Sequence, residues 1–219
     1  MKAANSSPAS ATATTLVCFA LEDEARPFRK LVAGRREISI LVTGMGQTNA
    51  ARAVHDFLQQ HSPRRVFTCG FAGGLEPGLK VGEVRSQTQD AILSDTLRHH
   101  GGPPASFHCA TCVATTAAEK AELRRTTGSD AVEMESAAIQ LICAERKIPC
   151  ATVRVISDPA DEDLPLDFNQ LSHPDQSLNF GKLAWTIAKS PGKIPALLRL
   201  QKQTHFAARR LAEVLARVV

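Results

Sequence analysis

The sequence has no tyrosine, a single tryptophan and only 5% aromatic residues. That scarcity argues against a stacking platform for single-stranded nucleic acid. No stretch approaches the ~20 consecutive apolar residues of a membrane span. The first 14 residues are rich in Ala, Ser and Thr and lack the apolar core of a signal peptide. The six cysteines therefore read as reduced thiols of a cytoplasmic protein. Neither sign of charge dominates: 26 basic against 22 acidic residues leave +4, too little to call for a nucleic-acid partner. With 43% hydrophobic and 22% charged residues, the whole chain is neither disordered, collagen-like nor coiled coil. Its 219 residues suit one domain, read as 15–219 behind a loose tail, 1–14.

Apolar β-rich runs alternate with helical periodicity. Leu16–Leu21, Ile38–Thr43, Arg65–Cys69 and Cys150–Ile156 read as buried strands. Asp23–Ala33, Thr48–Gln60, Ala117–Thr126, Met134–Arg146, Ser177–Lys189 and Ile194–Val218 read as helices. Val81–Gln87 reads as a strand and Gln89–Ser106 as a polar loop ending in glycine and proline. Strand, glycine turn, helix, strand is the pattern of β-α-β units. The expected fold is a three-layer αβα sandwich around a mixed, mostly parallel sheet.

Ligands of open α/β sheets bind outside the carboxyl ends of the strands. There the sequence places Glu22-Asp23-Glu24-Ala25-Arg26, Thr43-Gly44-Met45-Gly46, Gly70-Phe71-Ala72-Gly73-Gly74 and Ser157-Asp158. Gly44-Met45-Gly46-Gln47-Thr48-Asn49 nearly matches G-x-G-x-x-G, but Asn49 replaces the last glycine. No acid ends the next strand, so a nicotinamide oxidoreductase is a weak alternative. Cys109-Ala110-Thr111-Cys112 is a lone C-x-x-C and reads as core cysteines; no metal is expected. Val132-Glu133-Met134-Glu135-Ser136-Ala137-Ala138 puts two carboxylates at the entry of a small-residue helix, where the dipole alone would favour them.

In order, Ala20-Leu21-Glu22-Asp23-Glu24, Thr43–Ala50, Cys69–Leu75 with Val81-Gly82-Glu83-Val84, and Val132–Glu135 with Val153–Asp158 resemble the nucleoside phosphorylase superfamily. The likeness is to its methylthioadenosine/S-adenosylhomocysteine nucleosidase-like branch and covers most of residues 15–160. Glu24-Ala25-Arg26, Phe71 and the tail look closest to hopanoid-associated phosphorylases, whose nucleoside carries an apolar polycyclic group.

The resemblance implies cleavage of a purine nucleoside's N-glycosidic bond, with no cofactor and with water or phosphate as nucleophile. Asp158 matches the acid that protonates the leaving purine, with burial raising its pKa and Ser157 orienting it. Glu135 matches the carboxylate that grips the ribose hydroxyls. Met134 would pack under the ribose, Ala72 and Gly73 would approach the base, and Met45 would lie near the 5′ substituent. Glu24 matches the glutamate that activates water. Arg26 and Gly44 are the candidates for phosphate. Phe71 stands where nucleosidases usually carry serine. Val113 and Ala114 are candidates on the base side. The family also leads one to expect a homo-oligomer. A nucleoside-binding protein without catalysis is the second reading.

Lys182–Val219 carries eight basic residues and one acid. Its apolar stripe, Ala207, Ala208, Leu211, Val214, Leu215 and Val218, reads as a face packed on the sheet. The alternative is contact with an anionic membrane surface.

Overall fold

A computed structural model describes residues 15–171, Trp185 and 189–219. The expected tail 1–14 and most of the helix expected over 177–189 lie outside the described residues. The strands are β1 (Thr15–Phe19), β2 (Ile38–Val42), β3 (Arg65–Gly74), β4 (Val84–Thr88), β5 (Phe107–Cys109), β6 (Ala131–Glu133) and β7 (Cys150–Asp158). The α-helices are α1 (Glu22–Leu31), α2 (Gln47–Gln60), α3 (Ala91–His99), α4 (Ala117–Thr127), α5 (Ser136–Glu145) and α6 (Ile194–Val218). No helix among the described residues is long and apolar enough to cross a membrane.

The seven strands form one sheet, mixed and mostly parallel, as expected. β2, β1, β3 and β7 run parallel, β4 is antiparallel to β7, and β5 is parallel to β6. Side chains alternate across each strand and fill two cores. Val17, Phe19, Phe67, Cys69, Val153 and Val155 meet apolar residues of α1, α3 and α6 on one face. Leu16, Cys18 and Val66 meet Ala50, Val54 and Leu58 of α2 and Ile139 and Cys143 of α5 on the other. These are the three layers.

Two departures from the sequence reading have physical causes. The strand expected to stop at Cys69 continues through Gly70-Phe71-Ala72-Gly73-Gly74, because β7 pairs with it as far as Gly73 and β6 pairs with Gly73 and Gly74. Neighbouring backbone thus supplies the order that glycine lacks by propensity. The polar loop expected over 89–106 contains α3. Asp90 Oδ1 caps it by accepting from Ile92 N at 3.0 Å and Leu93 N at 3.1 Å. Leu93 and Leu97, one turn apart, are its only buried residues.

The long β3 creates the central opening. β1 pairs with Arg65–Cys69, and β6 pairs antiparallel with Gly73 and Gly74. β7 occupies the opposite edge of β3 through the same residues. Residues 70–72 therefore have no partner strand on the β1/β6 side.

The stripe on α6 is buried throughout, and Arg209, Arg210 and Arg217 point outward. The packed-face reading holds, and this apolar face is not free to enter a lipid surface. Replacing Leu211, fully buried, with alanine should cost about 2–5 kcal/mol by urea unfolding. Leu198→Ala, at a side chain 52% exposed, should cost far less. Equal losses would contradict the packing of α6 on the sheet.

Candidate active site

The helix that follows β1 begins beside the gap in the sheet, and the gap recruits its first turn. Glu24 is 3% exposed. Its Oε1 accepts from Phe71 N at 2.8 Å, the strand amide left open between β1 and β6. Its Oε2 accepts from Leu21 N at 2.9 Å. Burial pushes its carboxyl up to about 7; Glu135 adds to the rise, while the two amides and Arg154 restrain it.

Arg154 lies at the centre of β7 and is 1% exposed. A guanidinium cannot shed its proton, so in a core it must be surrounded by acceptors. Arg154 forms a close ion pair with Glu133. It reaches Glu135 Oε2 at 3.3 Å and Thr68 Oγ1 at 3.3 Å. Gly70 is the residue paired with it on β3. A Cβ there would stand 2.7 Å from both Arg154 Nη1 and Glu24 Oε1. The glycine therefore leaves room for both side chains.

Glu133 and Glu135 are held differently, as their separation by one residue on an irregular turn allows. Burial pushes the Glu133 carboxyl up. Arg154, the Ser136 hydroxyl and the Glu135 and Ser136 amides outweigh burial and hold it below the usual range. Glu135 Oε1 accepts from Gly46 N at 2.9 Å. Burial, with Glu133 nearby, leaves its carboxyl above the usual range despite Arg154. Glu133 is thus the more fully engaged of the two carboxylates.

Asp158 closes β7 on the far side. The sequence reading has it at the end of a buried strand; the structure adds an ion pair there. Oδ2 lies 2.5 Å from Nζ of Lys120, a fully buried residue of α4. Oδ1 accepts from Ser157 Oγ at 2.6 Å.

Glu24, Met45, Phe71, Ala72, Gly73, Met134, Glu135, Ser157 and Asp158 all line one cavity of about 250 Å³. Val113 and Ala114 join it, as does Cys112. Leu164 and Phe168 from the loop after β7, with Leu200 and Thr204 of α6, complete the wall. The Val113 backbone edge is bonded twice by Asn169, N to Oδ1 and O to Nδ2, each at 2.9 Å.

Two expected residues do not join the site. Arg26 lies on the outer face of α1, half exposed, 3.1 Å from Asp23. Gly44 does not line the cavity, and its N–H already donates to Ala20 O at 3.2 Å. Its φ of +84° serves the turn itself. The same turn weakens the nicotinamide alternative, because the Gly46 amide is committed to Glu135. Arg154 and Lys120 were not among the expected site residues. A lone charge inside an apolar strand is a signal for Arg154; Lys120 sits in a charged helix that gives none.

The high Glu24 pKa carries a stability signature. Ionising a group whose folded pKa is about 7 and whose ordinary value is 4.5 opposes folding. The contribution of this carboxyl favours folding most below pH 4.5 and is lost as pH rises through 7, by roughly 3 kcal/mol. In Glu24→Gln this fall should be absent. Urea melts from pH 5 to 8 compare the slopes, and equal slopes would contradict the assignment.

A family model described as the phosphorylase superfamily matches residues 22–109 and 83–189. The 5′-methylthioadenosine/S-adenosylhomocysteine nucleosidase of Glaesserella parasuis serovar 5 is 29% identical over 175 residues, 61% of this chain and 73% of its own. That of an Exiguobacterium species is 25% identical over 198 residues, 71% of this chain and 82% of its own. Among solved structures, futalosine hydrolase of Helicobacter pylori matches with a TM-score of 0.72 at 15% identity, over 95% of this chain and 98% of that one. The nucleosidase of Neisseria meningitidis, solved with methylthio-immucillin-A, matches with a TM-score of 0.69 at 21% identity, over 94% and 98%. These structures share the fold of this chain, and the match of the family model over most of its length shows that the chain belongs to the phosphorylase superfamily.

Proposed function

We propose that this chain is a nucleosidase that hydrolyses the N-glycosidic bond of an adenine nucleoside bearing an apolar 5′ substituent. The observation that carries the choice of water over phosphate is the charge of the cavity. Among the described residues its wall holds Glu24, Glu133, Glu135 and Asp158 and no lysine or arginine. A phosphate dianion entering there would meet carboxylates, with Arg154 committed to them and Arg26 outside. Water carries no such penalty. The names of the relatives, nucleosidases and a hydrolase, point the same way.

Each residue then has a part. Breaking the bond builds positive charge on the sugar and negative charge on the base. Glu135 grips the ribose hydroxyls, and its charge favours an oxocarbenium-like sugar over the neutral ground state. Met134 packs against the ribose. Glu24, with a pKa of about 7, is suited to take a proton from water near neutral pH. Asp158 passes a proton to the departing base, and Ser157 keeps its carboxyl oriented. An adenine edge carries an acceptor and a donor side by side, as the Asn169 carboxamide does, so it could take Asn169's place on Val113.

The apolar 5′ group follows from Met45, Phe71, Leu164, Phe168 and Leu200 in the wall. Each CH₂ buried there contributes ~0.8 kcal/mol. The kcat/KM should therefore rise from adenosine through methylthio- to longer alkylthio-adenosines. A preference for unmodified adenosine would overturn the apolar 5′ reading. In Glu24→Gln, kcat should fall by roughly 10²–10⁴ with little change in KM. Normal turnover in that variant would remove Glu24 as the base.

A further inference from the structure

Among the described residues, Lys120 is the buried cation to which the reaction as described so far gives no part. It is fully buried, and lysine is almost never so unless paired. Its ammonium has three protons and three acceptors. Pro159 O and Glu162 O accept at 2.8 Å each, and Asp158 Oδ2 lies at 2.5 Å. The two carbonyls belong to the turn that follows β7, so the lysine ties α4 to the strand end that carries Asp158. With Ser157 Oγ on Oδ1, one direction on each carboxylate oxygen is taken and the others remain for a ligand.

We infer that Lys120 is a positioning residue that holds Asp158 and stores the proton Asp158 delivers to the leaving base. The inference rests on the nucleosidase reading. A carboxylate already paired with an ammonium has no proton of its own to give. As the C–N bond breaks, its electron pair goes to the purine, and a purine anion is basic enough to take a proton from an ammonium. One proton crosses from Lys120 Nζ to Asp158, and Asp158 passes one to the base nitrogen. Lys120 is left a neutral amine that still donates to Pro159 O and Glu162 O. After the base departs, the proton that Glu24 took from the attacking water returns to Lys120 through solvent and Asp158, so the cycle closes with one water consumed. Charge balances: an ammonium and a purine anion become an amine and a neutral purine.

The test uses the full chain with 5′-methylthioadenosine and compares Lys120→Met, Lys120→Arg, Asp158→Asn and Lys120→Met/Asp158→Asn. Arginine keeps the positive charge but yields no proton. Both single Lys120 variants should lose 10²-fold or more in kcat with KM changed less than about threefold. The double variant should be no slower than Asp158→Asn alone, since Lys120 acts through Asp158. Circular dichroism confirms folding of each variant. If Lys120→Met does not fold, Lys120→Arg and the double variant, which buries no unpaired charge, decide the matter. Turnover near wild type in either Lys120 variant, or losses that multiply in the double variant, would overturn the inference. A wild-type chain that releases no adenine would instead overturn the nucleosidase reading beneath it.

Discussion

The site depends on one buried guanidinium. Arg154 sits buried where β7 and β3 are paired, and it draws Glu133 and Glu135 together while facing Glu24 across Gly70. Desolvating an arginine is costly, and the cost is offset only when acceptors surround it. The three carboxylates around it arrive from two distant parts of the chain, the start of α1 and the segment from the end of β6 into α5. A charge in a core thus fixes the relative positions of elements that apolar packing alone would leave free to slide.

One cation cannot satisfy three carboxylates equally, and the inequality makes chemistry available. Glu133 takes the close contact and three further stabilising groups, the Ser136 hydroxyl and the Glu135 and Ser136 amides, so its carboxyl stays below the usual range. Glu24 receives two amides but little of the cation, and burial dominates its pKa. The break in the sheet completes the arrangement. The strand amide of Phe71 that lacks a β partner is the amide that holds Glu24. A topological necessity, a long strand with two short partners on one edge, becomes the binding point for a side chain.

Much of this could be read from the residues. Alternating apolar runs gave the layers, and the rule that ligands sit beyond strand ends gathered Glu24, Met45, Phe71, Glu135 and Asp158 before any contact was known. What could not be read depends on distance in space. The glycines after Cys69 look like a turn, yet β6 and β7 make them strand. The segment holding α3 looks polar because only Leu93 and Leu97 of that helix are buried. Arg26 and Gly44 looked available for phosphate, and local partners claim both. Lys120 was invisible because a lysine in a charged helix gives no sign of which way it points.

Hydrolysis, as proposed, requires water activated in an acidic cavity to be the nucleophile. The direct measurement is product analysis after turnover of 5′-methylthioadenosine in ¹⁸O-labelled water containing millimolar phosphate. The expected products are adenine and a free sugar with the label at C1, formed at a rate that phosphate does not change. A sugar 1-phosphate as the main product, or a rate that rises with phosphate, would contradict hydrolysis.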